Sequence, residues 1–224
     1  MSKDYYSKKL SANRLKQCYE IASERIKQYF AAEIQFVLDH VTQKSVVLEL
    51  GCGYGRVLKY LAEKAQEVFG IDISQESLSF AREYLIDYSN VNLYQMDAES
   101  LTFTSDSFDL VIGIQNSISA FKVEPFKLLT ESLRVTKPNG KLLLSSYSEN
   151  IWDARLEWFI QQANEGLLGE IDLEKSKDGT IIGKDGFKAT TYTRNDFQEL
   201  IDQLDLDAKI VEVDNSSLFC VIAK

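Results

Sequence analysis

The sequence is poor in the side chains that build metal sites and disulfide frameworks. It has one histidine, His40, and three cysteines, Cys18, Cys52 and Cys220, which are scattered without metal-ligand spacing. A zinc site or a disulfide framework is therefore not expected, and reduced thiols fit a cytoplasmic enzyme. We predict no metal, although the carboxylates leave an all-oxygen magnesium site open as an alternative.

Positive charge and long apolar runs are also scarce. The 224 residues include 25 Lys and Arg against 34 Asp and Glu, a net charge of −9. Nucleic acids and anionic membranes require a basic surface, so neither is an expected partner. No apolar run is long enough for a membrane span and no signal peptide is apparent. We expect a cytoplasmic protein that is a monomer or a homodimer.

Glycine, by contrast, is concentrated in one stretch, where Gly51, Gly53 and Gly55 alternate. The residues before it, 46–50, are apolar apart from Glu49 and predict a buried parallel strand. The residues after it, 56–65, repeat apolar side chains on one helical face. A strand, a glycine loop and a helix in this order predict a nucleotide-type site at a helix N-terminus.

Two common nucleotide fingerprints are absent from this loop. The dinucleotide pattern G-x-G-x-x-G fails, because the sixth position is Arg56 counted from Gly51 and Leu58 counted from Gly53. A phosphate-binding P-loop needs Gly-Lys followed by Ser or Thr, and the chain has Gly55, Arg56 and Val57 there. A nicotinamide oxidoreductase is therefore the less favoured interpretation.

Acidic residues mark the ends of the next two predicted strands. Asp72 closes the run 67–73, about twenty residues beyond the glycines, a separation at which a carboxylate reaches ribose hydroxyls. Asp97 closes the run 92–97 and is followed by Ala98. Because the carboxyl ends of parallel strands share one edge of a sheet, these groups and the glycine loop are expected to form one site.

An acidic residue followed by G-x-G-x-G, at Glu49 to Gly55, resembles the first motif of class I S-adenosylmethionine-dependent methyltransferases. Residues 133–144, with Pro138, resemble the family's segment before strand five, so the likeness extends from about Val46 to Tyr147. The resemblance implies S-adenosylmethionine as cofactor. It assigns cofactor binding to Glu49, Gly51, Gly53, Asp72, Ile73, Asp97, Ala98 and Gln115.

The acceptor site is predicted where the chain leaves strands four and five. Asn116 and Ser117 are similar to an Asn-Ser pair that helps hold the acceptor in glycine N-methyltransferase-like enzymes. Gln115 replaces the glycine of that motif and no arginine follows Tyr147, so an amino-acid acceptor is not favoured. Asn116 is either a helix N-cap or a substrate contact. The substrate candidates are Asn116, Tyr147 and Trp152, no catalytic residue is assigned, and His40 is expected to be structural.

The whole chain predicts an α/β fold, a Rossmann-like doubly wound sheet of seven mostly parallel strands with an antiparallel last strand. We expect a single methyltransferase domain over residues 1–224, with a helical extension at 1–40 and a substrate-covering insert at 148–190 after strand five. The insert is expected to contain a helix at 151–160 and a small antiparallel ribbon built from residues 170–174, 180–183 and 187–192, and residues 137–140 are expected to form a turn before strand five. The segment around Tyr5 and Tyr6 is predicted to close over the cofactor. Enclosed aromatic residues of the insert suit a small acceptor.

The predicted function is transfer of a methyl group from S-adenosylmethionine to a nitrogen, oxygen or other nucleophile of a small molecule. Such a transfer is an in-line displacement, so alignment of the two reactants supplies much of the catalysis. The alternatives are a non-catalytic protein that binds S-adenosylmethionine and a methyltransferase that acts on protein or RNA.

Overall fold

A computed structural model describes residues 12–224, so the predicted closing segment around Tyr5 and Tyr6 lies outside the described residues. Within the described residues, two helices come before the sheet, α1 (Ala12–Glu20) and α2 (Glu24–Leu38). The Ser23 hydroxyl caps α2 by accepting a hydrogen bond from the Ile26 amide. The apolar face of α2 is buried against the rest of the protein, as its periodicity predicts.

Alternating strands and helices make up the centre of the chain. In order they are β1 (Val46–Leu50), α3 (Arg56–Ala62), β2 (Glu67–Asp72), α4 (Gln75–Tyr84), β3 (Val91–Gln95), β4 (Phe108–Gly113), α5 (Ser117–Ala120), α6 (Pro125–Val135) and β5 (Thr136–Tyr147). A 3₁₀ turn at Glu149–Ile151 leads into α7 (Trp152–Asn164), and the remaining elements are β6 (Thr180–Ile182), β7 (Lys188–Thr190), α8 (Arg194–Leu204), β8 (Ala208–Val213) and β9 (Ser217–Ala223).

The main sheet has seven strands in the order β3-β2-β1-β4-β5-β9-β8. Strands β1 to β5 pair in parallel, whereas β9 is antiparallel to both β5 and β8. The predicted Rossmann-like fold with an antiparallel last strand is confirmed. The strand order reverses between β1 and β4, and a crevice at the carboxyl ends of such strands is where open α/β sheets bind ligands.

The insert after β5 differs in detail from its prediction. Strands β6 and β7 form the expected antiparallel ribbon. Residues 170–174, expected to be extended, contribute only one bridge, between Ile171 and Gly183. The chain turns there instead, because the Ser176 amide donates to the Asp172 carbonyl oxygen. The insert therefore consists of one long helix, α7, and a short ribbon.

Strand β5 also begins earlier than predicted. Residues 137–140 were expected to form a turn, and they belong to the strand from Thr136 onward. The register with β4 shifts between Phe108 and Leu110, and Asn139 has a positive φ of 66°. A bulge of this kind absorbs the turn-forming residues without ending the strand. Across residues 12–224, no helix has the length and apolar character needed to cross a membrane.

Candidate active site

A cavity of about 240 Å³ opens at the carboxyl ends of β1, β2, β3 and β4. Every predicted cofactor residue lines it, and so do two of the predicted substrate residues, Asn116 and Tyr147. Trp152 lies outside the lining. The predicted cofactor residues in the lining are Glu49, Gly51, Gly53, Asp72, Ile73, Asp97, Ala98 and Gln115.

The glycine loop requires glycine at its first two positions. Gly51 and Gly53 have φ values of +68° and +54°, a region that side chains other than glycine rarely adopt. A Cβ atom on Gly51 would stand 2.4 Å from the Phe121 ring, and one on Gly53 would stand 3.0 Å from the Leu15 side chain. Glycine is therefore required at both positions, because the Phe121 and Leu15 side chains pack directly against the loop backbone.

Asp72 holds the glycine loop against the end of β2. Its Oδ2 accepts a hydrogen bond from the Gly53 amide at 2.9 Å, and its Oδ1 accepts one from the Ser74 amide at 2.8 Å. Burial raises the pKa of Asp72, and these backbone donors oppose that rise. A carboxylate has about four acceptor positions, so both oxygens retain capacity for the hydroxyls of a ligand.

Glu49 and Arg56 bring an acidic and a basic side chain to the cavity. Burial raises the pKa of Glu49 to about 8, against the attraction of Arg56. The Glu49 Oε2 atom and one terminal nitrogen of Arg56 are buried without a hydrogen-bond partner among the described residues. S-adenosylmethionine carries an ammonium and a carboxylate on its amino-acid end. A free carboxyl oxygen and a free guanidinium nitrogen fit those two groups.

A hydrogen-bonded chain fixes Gln115 where β4 ends. The Gln115 backbone amide donates to Ser145 Oγ at 2.9 Å, and the Ser145 hydroxyl donates to Glu33 Oε1 at 2.5 Å. The Tyr19 hydroxyl donates to Gln115 Oε1 at 2.5 Å. Gln115 and Asn116 have φ values of +57° and +60°. Such strained conformations persist only where surrounding contacts enforce them, and they are common in functional sites.

The side chain of Asn116 joins β4 to the insert. Its Nδ2 donates to the Thr190 carbonyl oxygen at 2.8 Å, and its Oδ1 accepts from Ser146 Oγ at 2.9 Å. It makes no side-chain cap to α5, which begins at Ser117. Both ends of the amide are therefore engaged within the protein, although the residue lines the cavity.

Aromatic side chains from three elements form the other side of the cavity. Tyr19 comes from α1, Tyr147 from β5, and Trp158 and Phe159 from α7. The Trp158 Nε1 atom donates to the Cys18 carbonyl oxygen at 2.8 Å, which ties α1 to the insert. We call this the acceptor side of the cavity, and it consists of Tyr19, Gln115, Tyr147, Trp158, Phe159 and Gln162.

Several residues around the cavity were not predicted from the sequence. They are Tyr19, Glu33, Arg56 and Gln162. Glu33 gives a signal in retrospect, because it stands four residues after Tyr29 and four before Val37 on the apolar face of α2. A carboxylate at such a position needs a buried partner, and Ser145 is that partner. His40 contacts the Phe36 carbonyl oxygen and does not line the cavity.

The buried Glu33 carboxyl predicts a stability that falls as pH rises. Burial raises its pKa from 4.5 to about 7, so the folded state keeps the proton over a pH range in which the unfolded state loses it. The stabilisation is complete below pH 4.5 and is lost as the pH rises through 7. The free energy of unfolding, measured with urea at pH 5 and at pH 8.5, should fall between these two pH values in the wild type. In the Glu33→Gln variant this fall should be smaller by on the order of 2 kcal/mol.

Glu83→Gln is the matched control for this pH experiment, because Glu83 is exposed on α4. Glu49 titrates in all three proteins and cancels in the comparison. A Glu33→Gln variant with the same pH dependence as the wild type would show that Glu33 does not hold its proton in the folded state.

Part of the chain is similar to known methyltransferases. Residues 47–140 match the family described as a methyltransferase domain. The YqeM protein of Bacillus subtilis, whose name places it among methyltransferases, is 36% identical over 111 residues, covering 47% of this chain and 44% of that protein. The chain thus spans less than half the length of this relative.

Two solved structures share the fold across nearly the whole chain. The PH0226 protein of Pyrococcus horikoshii has a TM-score of 0.65 and 23% identity, covering 100% of this chain and 99% of that one. An S-adenosylmethionine-dependent methyltransferase from Aquifex aeolicus has a TM-score of 0.62 and 16% identity, covering 93% and 97%. At these identities the likeness establishes the fold.

The fold and the site define a Rossmann-like α/β protein with a cavity at its strand ends, and the groups that line this cavity fit S-adenosylmethionine. The match over residues 47–140 and the relatives support assignment to the class I S-adenosylmethionine-dependent methyltransferases. The solved structures of similar fold include an S-adenosylmethionine-dependent methyltransferase and a DhpI complex with S-adenosylmethionine, in agreement with the cofactor that the sequence implies.

Proposed function

We propose that this protein transfers a methyl group from S-adenosylmethionine to a small organic molecule. One observation carries the proposal: a single cavity joins the glycine loop and Asp72 to the aromatic acceptor side. A cofactor held at the strand ends would present its sulfonium towards an enclosed, largely aromatic space. Enclosure of this kind excludes water and fixes a small acceptor in line with the methyl carbon.

The residues of the cofactor side have separable roles in this proposal. Asp72 accepts hydrogen bonds from the ribose hydroxyls, and the backbone at Gly51 and Gly53 lies against the amino-acid end. Glu49 and Arg56 pair with the ammonium and the carboxylate. Asp97, Ala98 and Ile73 surround the adenine. When bound, the cofactor supplies a methyl group on a cationic sulfur, which a nucleophile displaces without an acid catalyst.

The acceptor side favours a small molecule over a polymer. Helix α1 covers the cavity through Leu15, Cys18 and Tyr19, and α7 covers it through Trp158 and Phe159. The net charge of −9 gives no general attraction for RNA or DNA. Of the three sequence candidates, Asn116 and Tyr147 remain proposed acceptor contacts, and Trp158 takes the place of Trp152 in this proposal.

The remaining expectations are part of the same proposal. Residues 1–224 act as one methyltransferase domain, in which residues 1–40 and the insert at 148–190 cover the substrate. The three described cysteines are free and buried, which fits a reducing, cytoplasmic setting. We propose a monomer or a homodimer.

Labelled methyl transfer tests this function. The protein is incubated with methyl-labelled S-adenosylmethionine and a cell extract, which is then separated into small-molecule, protein and RNA fractions. The label should appear in the small-molecule fraction with the wild type and should be strongly reduced with the Asp72→Ala variant. Label confined to protein or RNA would contradict the proposed acceptor class. Cofactor binding with no transfer to any fraction would favour a non-catalytic binding protein.

A further inference from the structure

We propose that the methyl acceptor is a small planar oxyanion, a carboxylate or an acidic phenolate, which the side-chain amides of Gln115 and Gln162 hold on the acceptor side. This inference rests on the proposed function, since it concerns the second substrate of the same cavity. It is carried by two buried amide donors that have no partner among the described residues, by the position of Arg56 over aromatic rings, and by the aromatic side chains of the cavity. Gln115, which the sequence resemblance assigns to the cofactor, is assigned to the acceptor in this inference.

Gln115 offers a donor whose direction is set by its neighbours. The Tyr19 hydroxyl donates to Oε1, so the Nε2 group is the end of the amide left to bind a ligand. That Nε2 atom is buried without a partner among the described residues. The Ser145 hydroxyl holds the backbone amide of the same residue in its left-handed conformation. Because both its backbone amide and its side-chain oxygen are held, Gln115 is preorganised for a ligand.

Gln162 offers a second donor, from α7. It is only 3% exposed, lines the cavity from α7, and has a buried Nε2 atom that no described residue satisfies. Buried polar groups without partners are uncommon, because the lost hydration is not recovered. Two unsatisfied amide nitrogens in one cavity indicate a ligand that accepts hydrogen bonds.

The position of Arg56 disfavours a cationic acceptor in this space. The Arg56 guanidinium carbon lies 4.6 Å from the centre of the Tyr19 ring and 5.0 Å from that of the Phe30 ring. It therefore occupies an aromatic face that a cationic acceptor would use. The carboxylates of the lining, Glu49, Asp72 and Asp97, lie on the cofactor side. The acceptor side presents amides and hydroxyls, and its rings favour a planar molecule.

An oxyanion also suits the chemistry, because no proton has to leave. A lone pair on the acceptor oxygen forms the new oxygen–carbon bond, while the sulfur–methyl bond breaks and its electron pair stays on sulfur. The negative charge of the oxygen and the positive charge of the sulfonium cancel. The described lining contains no histidine that could act as a general base, and this reaction needs none.

Ligand binding to the full chain loaded with S-adenosylhomocysteine tests the inference without turnover. Calorimetry compares benzoate, 4-nitrophenolate and benzylammonium, which separates the carboxylate, phenolate and cation cases. At least one oxyanion should bind about tenfold or more tightly than benzylammonium. The Gln162→Leu variant should lose about tenfold of that affinity, since one hydrogen bond to a charged group is removed. Gln162→Glu should reverse the preference towards the cation.

Gln161→Leu is the matched control, because Gln161 is the neighbour of Gln162 on α7 and does not line the cavity. All variants should bind S-adenosylhomocysteine like the wild type. If the loaded protein binds benzylammonium as tightly as the oxyanions, binds no oxyanion, or keeps its oxyanion affinity in Gln162→Leu, the inference is wrong and the proposed function stands. Failure of the wild type to bind S-adenosylhomocysteine would overturn both.

Discussion

Replacing Asp72 with alanine should weaken S-adenosylmethionine binding at least tenfold. The change removes a charged acceptor from two ribose hydroxyls, a loss of about 1.5 to 3 kcal/mol. It also releases the Gly53 and Ser74 amides, which Asp72 now holds at 2.9 and 2.8 Å. We therefore expect the free energy of unfolding to fall by about 1 kcal/mol as well. Calorimetry and urea unfolding measure the two effects separately.

Two further variants separate charge from shape at this position. Asp72→Asn keeps an oxygen that can accept from one backbone amide, so it should preserve most of the free energy of unfolding. It should still lower the affinity for the cofactor. Asp87→Ala removes an exposed carboxylate after α4 and should leave both quantities unchanged. Cofactor affinity in Asp72→Ala that equals the wild-type value would remove Asp72 from the site.

Replacing Arg155 with alanine should lower the free energy of unfolding by about 3 kcal/mol or more. Arg155 is only 1% exposed. Its guanidinium donates to the carbonyl oxygens of Gly179 and Ala189 and to Thr191 Oγ1, and it lies 4.1 Å from the centre of the Tyr147 ring. Its removal takes the charged donor of α7 away from the ribbon, although the Gly179 carbonyl oxygen keeps the hydrogen bonds from the Thr191 amide and hydroxyl.

The structural change in Arg155→Ala should be confined to the insert. Because Ala189 and Tyr147 line the cavity, acceptor binding should weaken, whereas the strand ends proposed to hold the cofactor keep their contacts. Arg82→Ala, an exposed change on α4, should stay within about 0.5 kcal/mol of the wild type. A loss below about 1 kcal/mol for Arg155→Ala would show that the ribbon is held by its apolar contacts instead.

The sheet and the cofactor side could be predicted because their signals are local. Strand β1 runs from Val46 to Leu50, as its apolar residues, interrupted only by Glu49, indicate. Asp72 and Asp97 stand at or just beyond the ends of two such runs, and the parallel topology brings both to the glycine loop. Strand ends of this kind are placed together by connectivity alone.

The acceptor side could not be predicted, because it depends on how distant elements pack. The helix α7 was expected, but its sequence has aromatic residues at 152, 158 and 159, and packing decides which of them line the cavity. The buried face follows Arg155, Trp158, Phe159 and Gln162, with an arginine and a glutamine among its members. Polar residues on a buried face break the pattern that identifies such a face from sequence.

We propose that one cavity holds S-adenosylmethionine with its methyl group turned towards the acceptor side. A crystal structure of the full chain with S-adenosylhomocysteine tests it most directly. We predict that the ribose hydroxyls lie within hydrogen-bond distance of the Asp72 carboxylate and that the sulfur faces Gln115, Tyr147 and Trp158. A ligand bound elsewhere, or one whose sulfur faces away from these three residues, would contradict the account.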